Sequence, residues 1–222
     1  MKKEMQMKKG AVFDQDGLMF DTEAIFGRAW AQAGETLGVV IPDGFHTAVC
    51  GTNGEDTKRI IRAWIPDADP GALMELTYRI SYEIQGRTLP EKPGLHEILD
   101  FFRSRGVKMA VASSSHRLPI ERNLEKSGVR GYFEAVVSGE DVSRGKPDPE
   151  AFLTAADRLG LSPADCYVFE DSLNGIRAGR AAGCRTIMIP DLIQPDQEAA
   201  KYYDACFPDL LTALERIRDG YI

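Results

Sequence analysis

Long apolar runs are missing from this chain of 222 residues, and none of its apolar segments could span a bilayer. Cysteine is sparse. The four thiols, Cys50, Cys166, Cys184 and Cys206, stand far apart without a C-x-x-C pair. That spacing argues against a disulfide or zinc framework and for reduced thiols in a cytoplasmic protein. Basic clusters are absent as well. Lys and Arg number 27 against 34 Asp and Glu, for a formal net charge of −7, which speaks against nucleic acid or an acidic membrane surface as partner. The opening Met1–Lys9 is positively charged, but a short strand ending in acids follows it, so no signal peptide is expected. The three histidines, His46, His96 and His116, show no metal-ligand spacing and receive no catalytic task. No internal repeat or low-complexity tract is visible, and nothing points to an obligate protein partner.

What is present is a set of acids placed where short apolar runs stop. Ala11-Val12-Phe13 reads as a buried strand, Asp14 and Asp16 follow it, and Gly17 turns the chain away. In open α/β sheets ligands bind at the carboxyl ends of the strands. Two carboxylates crowded there repel unless a cation lies between them, and the cation suited to them is a hard, oxygen-seeking one. Taken alone, Asp-x-Asp is more often a solvated turn.

Thr22 to about Gly38 has helical spacing, with Ile25, Ala29, Trp30 and Leu37 on one side. Further helices are predicted over 56–64 and 71–84, with no strand between them. From Pro93 onward the pattern alternates. Helices over 94–105, 119–127, 149–159, 175–182 and 208–218 follow or precede strands over 107–112, 135–138, 166–169 and 185–189. Alternation of this kind means an α/β fold, a Rossmann-like doubly wound parallel sheet, with an α-helical cap domain inserted after the first strand. The expected division is a core of residues 1–21 and 91–222 and a cap of residues 22–90.

Other strand ends carry polar groups. Val107–Ala112 runs into Ser113-Ser114-Ser115, whose hydroxyls and amides suit a phosphate, although an N-cap would look the same. Lys146 stands between Gly145 and Pro147, a restricted backbone that suits a lysine aimed at one place. Tyr167-Val168-Phe169 ends in Glu170-Asp171, a second carboxylate pair that would complete a Mg²⁺ site with Asp14 and Asp16. Each feature is modest singly. Their order along the chain is far more specific.

In that order they resemble the motifs of the haloacid dehalogenase superfamily, and in particular its capped phosphatases and β-phosphoglucomutases. Phe13-Asp14-Gln15-Asp16-Gly17 through Glu23 is similar to the first motif. Val111-Ala112-Ser113-Ser114 resembles the second, Lys146-Pro147-Asp148-Pro149 the third, and Glu170-Asp171-Ser172 with Asn174-Gly175 the fourth. The resemblance covers nearly the whole chain. Gln15 departs from it, since an apolar residue is usual there, and alternation should aim its side chain away from the site.

The resemblance implies that Asp14 attacks phosphorus and becomes an aspartyl phosphate, while Asp16 serves as acid and then base. It implies that Ser113, Ser114 and Lys146 hold the phosphoryl oxygens. Asp14, Asp16 through its carbonyl, Asp171 and, through water, Glu170 would hold Mg²⁺. A small phosphorylated metabolite would be the substrate, with Glu23, Thr52 and Asn53 as cap contacts. The alternative is a phosphosugar mutase, but Phe26 stands where mutases carry a histidine and Gly54 where they carry an arginine. Hydrolysis is therefore expected. A non-catalytic phosphate- or metal-binding regulator is the third reading, and no residue favours it.

Overall fold

The computed structural model describes residues 7–52 and 54–222. Six parallel strands form one sheet in the order β3-β2-β1-β4-β5-β6. They are β1 (Gly10–Phe13), β2 (Lys108–Ala112), β3 (Ala135–Val137), β4 (Cys166–Glu170), β5 (Arg185–Met188) and β6 (Ala205–Cys206). The chain thus builds outward from β1 to one edge, returns to the other side of β1, and builds to the opposite edge. This reversal puts the switch point of the sheet beside β1, between it and β4. All four residues of β1 are buried, as a strand covered on both faces must be.

Helices α5 (Leu95–Ser104), α6 (Arg117–Lys126), α7 (Glu150–Arg158), α8 (Leu173–Ala182) and α9 (Leu210–Arg218) accompany the sheet. Under it Phe13 stacks on Phe169 at 4.7 Å between ring centroids, and Phe102 and Phe133 meet Phe13 edge-on. Aromatic pairs in these geometries add to plain burial. They hold β1 and β4, the strands that carry the acids, in fixed register.

Residues 1–20 and 91–222 make one compact unit and residues 21–90 another. The second is purely helical among its described residues: α1 (Thr22–Leu37), α2 (Phe45–Val49), α3 (Gly54–Trp64) and α4 (Pro70–Arg87). Trp30, Ala33, Phe45, Ile61 and Leu73 form its buried centre. Helix α4 opens on Asp69, whose carboxylate accepts from the Ala72 amide at 2.7 Å, with Pro70 in the first turn.

Most predicted elements lie within a few residues of the observed ones. Two were missed. Helix α2 is too short to display a period and stands between glycine-bearing turns, and β6 pairs only two residues with β5. No described helix is long and apolar enough to cross a membrane.

Candidate active site

Asp14 continues β1, its amide donating to the Phe169 carbonyl at 3.0 Å, which sets it beside the end of β4. Its Oδ1 accepts from the Lys146 ammonium at 2.5 Å. The same ammonium donates to Glu170 Oε1 at 2.5 Å and to the Ala112 carbonyl at 3.0 Å, and lies over the Phe152 ring. Lys146 is only 6% exposed and Glu170 1%. Burial pushes the Asp14 carboxyl up to about 8; the Lys146 charge pulls it down, while Glu170 and Asp16 add to the rise. Burial also works against the charge on Lys146, yet Asp14 and Glu170 together hold that lysine above its ordinary range.

Asp16 is half-buried and accepts from two hydroxyls, Ser115 at 2.7 Å and Ser113 at 3.2 Å. Ser113 follows β2, is held by its amide on the Val137 carbonyl, and caps the Ser115 amide with its hydroxyl. Ser114 is exposed. Glu170 turns its second oxygen to the Ser172 amide and hydroxyl, at 3.1 and 3.0 Å. A Cβ on Gly175 would stand 1.8 Å from the Glu170 carboxyl carbon, so the first turn of α8 reaches Glu170 only because residue 175 is glycine. Gly17, with φ +80°, brings bare backbone to another acid: its Cβ would stand 2.3 Å from Asp171 Oδ2.

The structure therefore gathers Asp14, Lys146 and Glu170 directly. It sets Asp16 on the serine turn and Asp171 against Gly17. Ser115 and Asp191 were missed by sequence reasoning. Ser115 lies in the serine turn already singled out, and Asp191 lies just past β5, where the strand-end rule would have found it. Asp191 takes Lys92 on Oδ1 at 2.7 Å, while its Oδ2 is buried with no hydrogen-bond partner among the described residues. That oxygen lies 3.4 Å from the same Gly17 Cβ position as Asp171. Gln15 is buried too, and its side-chain amide has no hydrogen-bond partner among the described residues.

All-oxygen donors at the strand ends, the space left by Gly17 and the orphaned Asp191 oxygen fit a hard divalent cation such as Mg²⁺. Among the described residues these acids are not a preassembled trio with ligand atoms all within 4.8 Å. Lys146 occupies the space between Asp14 and Glu170.

In the helical unit, Glu23 accepts from Cys50 at 2.9 Å and pairs with His46 at 2.9 Å. The Thr52 hydroxyl is engaged with the Val49 carbonyl and the Thr57 hydroxyl. Asn53 lies outside the described residues. Phe26 packs edge-on against Tyr78. His96 and His116 pair with Glu91 and Glu140 in exposed positions.

The buried lysine and its two strand-end acids stand at the switch point of a doubly wound sheet, the place where α/β proteins of this class bind their ligands. The haloacid dehalogenase-like hydrolase family model matches residues 8–183. The chain is 37% identical over 179 residues to the fructose-1-phosphate phosphatase YqaB of Escherichia coli, covering 78% of this chain and 92% of that one. It is 30% identical over 182 residues to a phosphorylated carbohydrates phosphatase of Thermotoga maritima, covering 81% and 83%. A β-phosphoglucomutase structure from Clostridium difficile shares the fold at a TM-score of 0.79 and 22% identity, over 97% of both chains. The chain belongs to the haloacid dehalogenase-like hydrolase family, and within it is an enzyme of the phosphatase class.

Proposed function

We propose that the enzyme is a Mg²⁺-dependent phosphomonoester hydrolase that cleaves small phosphorylated sugars or polyols through an aspartyl phosphate on Asp14. The observation that carries this reading is Asp14 itself, buried at the end of β1 with Lys146 and Glu170 closed around it. The carbohydrate phosphatases among its relatives support the substrate class.

An Asp14 oxygen attacks phosphorus and the bond from phosphorus to the ester oxygen breaks. The leaving oxygen takes its proton from the Asp16 carboxyl. Water then yields a proton to Asp16 and attacks phosphorus, and the Asp14–phosphorus bond breaks to free inorganic phosphate. The Ser115 hydroxyl holds Asp16 in place for both proton transfers. Lys146, Ser113 and the Ser114 amide offset charge on the phosphoryl oxygens, which is most of what phosphoryl transfer asks of a protein. Asp14, the Asp16 carbonyl and Asp171 would hold Mg²⁺, with Glu170 nearby, and the ion would supply further neutralisation of the phosphoryl group.

We assign residues 22–90 the role of a cap that selects substrate and excludes water. Glu23, Thr52 and Asn53 are the candidate substrate contacts of this cap. Hydrolysis is favoured over mutase chemistry because Phe26 sits in an apolar contact and Gly54 offers no cation for a second phosphate. Phosphate release from hexose and hexitol phosphates with Mg²⁺, and its loss on chelation, tests this reading. Conversion of β-glucose 1-phosphate to glucose 6-phosphate without release would overturn it.

A further inference from the structure

We propose that the helical unit carries a second metal site, for a Zn²⁺-class cation held by Glu23, His46 and Cys50. Glu23 lies in the first turn of α1. His46 and Cys50 lie one turn apart on α2 and its C-cap, and so share one face. Glu23 Oε2 is 2.9 Å from His46 Nε2 and 2.9 Å from Cys50 Sγ, and Cys50 Sγ is 3.7 Å from His46 Nε2. All three residues are partly buried, and their ligand atoms lie within 4.8 Å of one another.

Tetrahedral zinc with ordinary bond lengths needs its ligand atoms about 3.3–3.6 Å apart, so shifts of about half an ångström would seat the ion. Thiolate, imidazole and carboxylate together suit zinc and its neighbours and not Mg²⁺ or Ca²⁺.

The ring of His46 is placed by the helix beneath it. A Cβ on Gly27, one turn after Glu23, would stand 3.1 Å from His46 Nδ1, so the bare helix surface at residue 27 admits the imidazole. A nucleophilic Cys–His–Glu relay would need thiol and carboxylate on opposite ring nitrogens. Here both meet Nε2, the arrangement of ligands around a shared ion. Binding would release the Cys50 thiol proton to solvent, and three protein ligands leave one vertex for water.

The test uses the reduced full chain with Co²⁺ added alone, followed by displacement with Zn²⁺. Wild type is expected to develop thiolate-to-cobalt charge-transfer absorption with tetrahedral visible bands, whose full amplitude corresponds to one thiolate-bound ion per chain. The acids of the other unit hold no sulfur and would be silent in the charge-transfer region. Cys50→Ser and His46→Gln, each checked for folding by circular dichroism, should weaken Zn²⁺ binding at least about 100-fold. Cys50→Ser should also abolish the charge-transfer band, and Mg²⁺-dependent phosphate release should stay unchanged. Absence of the band in wild type, or its persistence in Cys50→Ser, would overturn the proposal and leave the three residues a hydrogen-bonded cluster. If Cys50→Ser does not fold, His46→Gln decides the question: undiminished Zn²⁺ affinity there would overturn it.

Discussion

At the scale of the residue, Lys146 decides how the site is held. It is a buried cation between two buried carboxylates, so removing it leaves Asp14 and Glu170 facing each other uncompensated. Breaking a buried pair by deleting one partner costs about 3–5 kcal/mol. Lys146→Met should therefore lower the urea midpoint of unfolding as well as abolish turnover, and adding Glu170→Gln should recover part of the stability and none of the activity. Asp16 gives a cleaner separation of chemistry from stability, being half-buried and held by hydroxyls. Asp16→Asn should cut kcat by about 10²–10⁴ with little change in the melting temperature, which steady-state kinetics and a thermal melt together would check. Most of these residues could be picked out in the sequence because they follow apolar runs, with Lys146 marked instead by its Gly145 and Pro147 neighbours. Asp14, Ser113 and Glu170 could be placed by the strand-end rule alone. Ser115 lay within the serine turn, but its part in holding Asp16 rests on a contact across 99 residues; Asp191 stood past a strand end to which the rule had not been applied.

At the scale of the element, β3, α6 and α7 are joined through Asp141. Its carboxylate accepts from the Ser138 amide and hydroxyl, from Arg117 on α6 and from Arg158 on α7. Partial burial works against its charge, but these donors outweigh it and hold the Asp141 carboxyl below the ordinary aspartate value of 3.8. A group whose pKa is depressed by folding contributes stability that is present above the unfolded value and lost as pH falls through the folded one. Asp141→Asn should accordingly cost about 1–3 kcal/mol at neutral pH and a smaller amount below about pH 3, read from urea melts at the two pH values. Gly175→Ala should displace Glu170 and lower activity, since the first turn of α8 cannot carry a Cβ there without moving that carboxyl.

Helices with several turns were legible from their apolar period, as in α1 and α4, and their glycine and proline punctuation set the bounds. Helix α2 has five residues and no readable period. For the same reason the spacing of His46 and Cys50 carried no meaning until the backbone showed them one turn apart.

At the scale of the whole molecule, the proposed catalytic set is assembled from segments far apart in sequence, and Lys146 meets Asp14 across 132 residues. The strand order is what joins them, because it puts β1 at the reversal with β2 on one side and β4 on the other. A chain with a net charge of −7 that handles phosphate esters needs local positive charge at that point. Lys146 supplies one unit, and on the proposed function a divalent cation held by the remaining carboxylates would supply more. Millimolar Mg²⁺ should therefore raise the melting temperature of the wild type and have a much smaller effect on Asp171→Asn, since a ligand that binds only the folded state stabilises it. The most direct measurement is phosphate release from fructose 1-phosphate and from hexitol phosphates with Mg²⁺, wild type beside Asp14→Asn. Wild type should turn these esters over, and the variant should show no turnover above background. Substantial turnover by Asp14→Asn would show that another group attacks phosphorus and would contradict it.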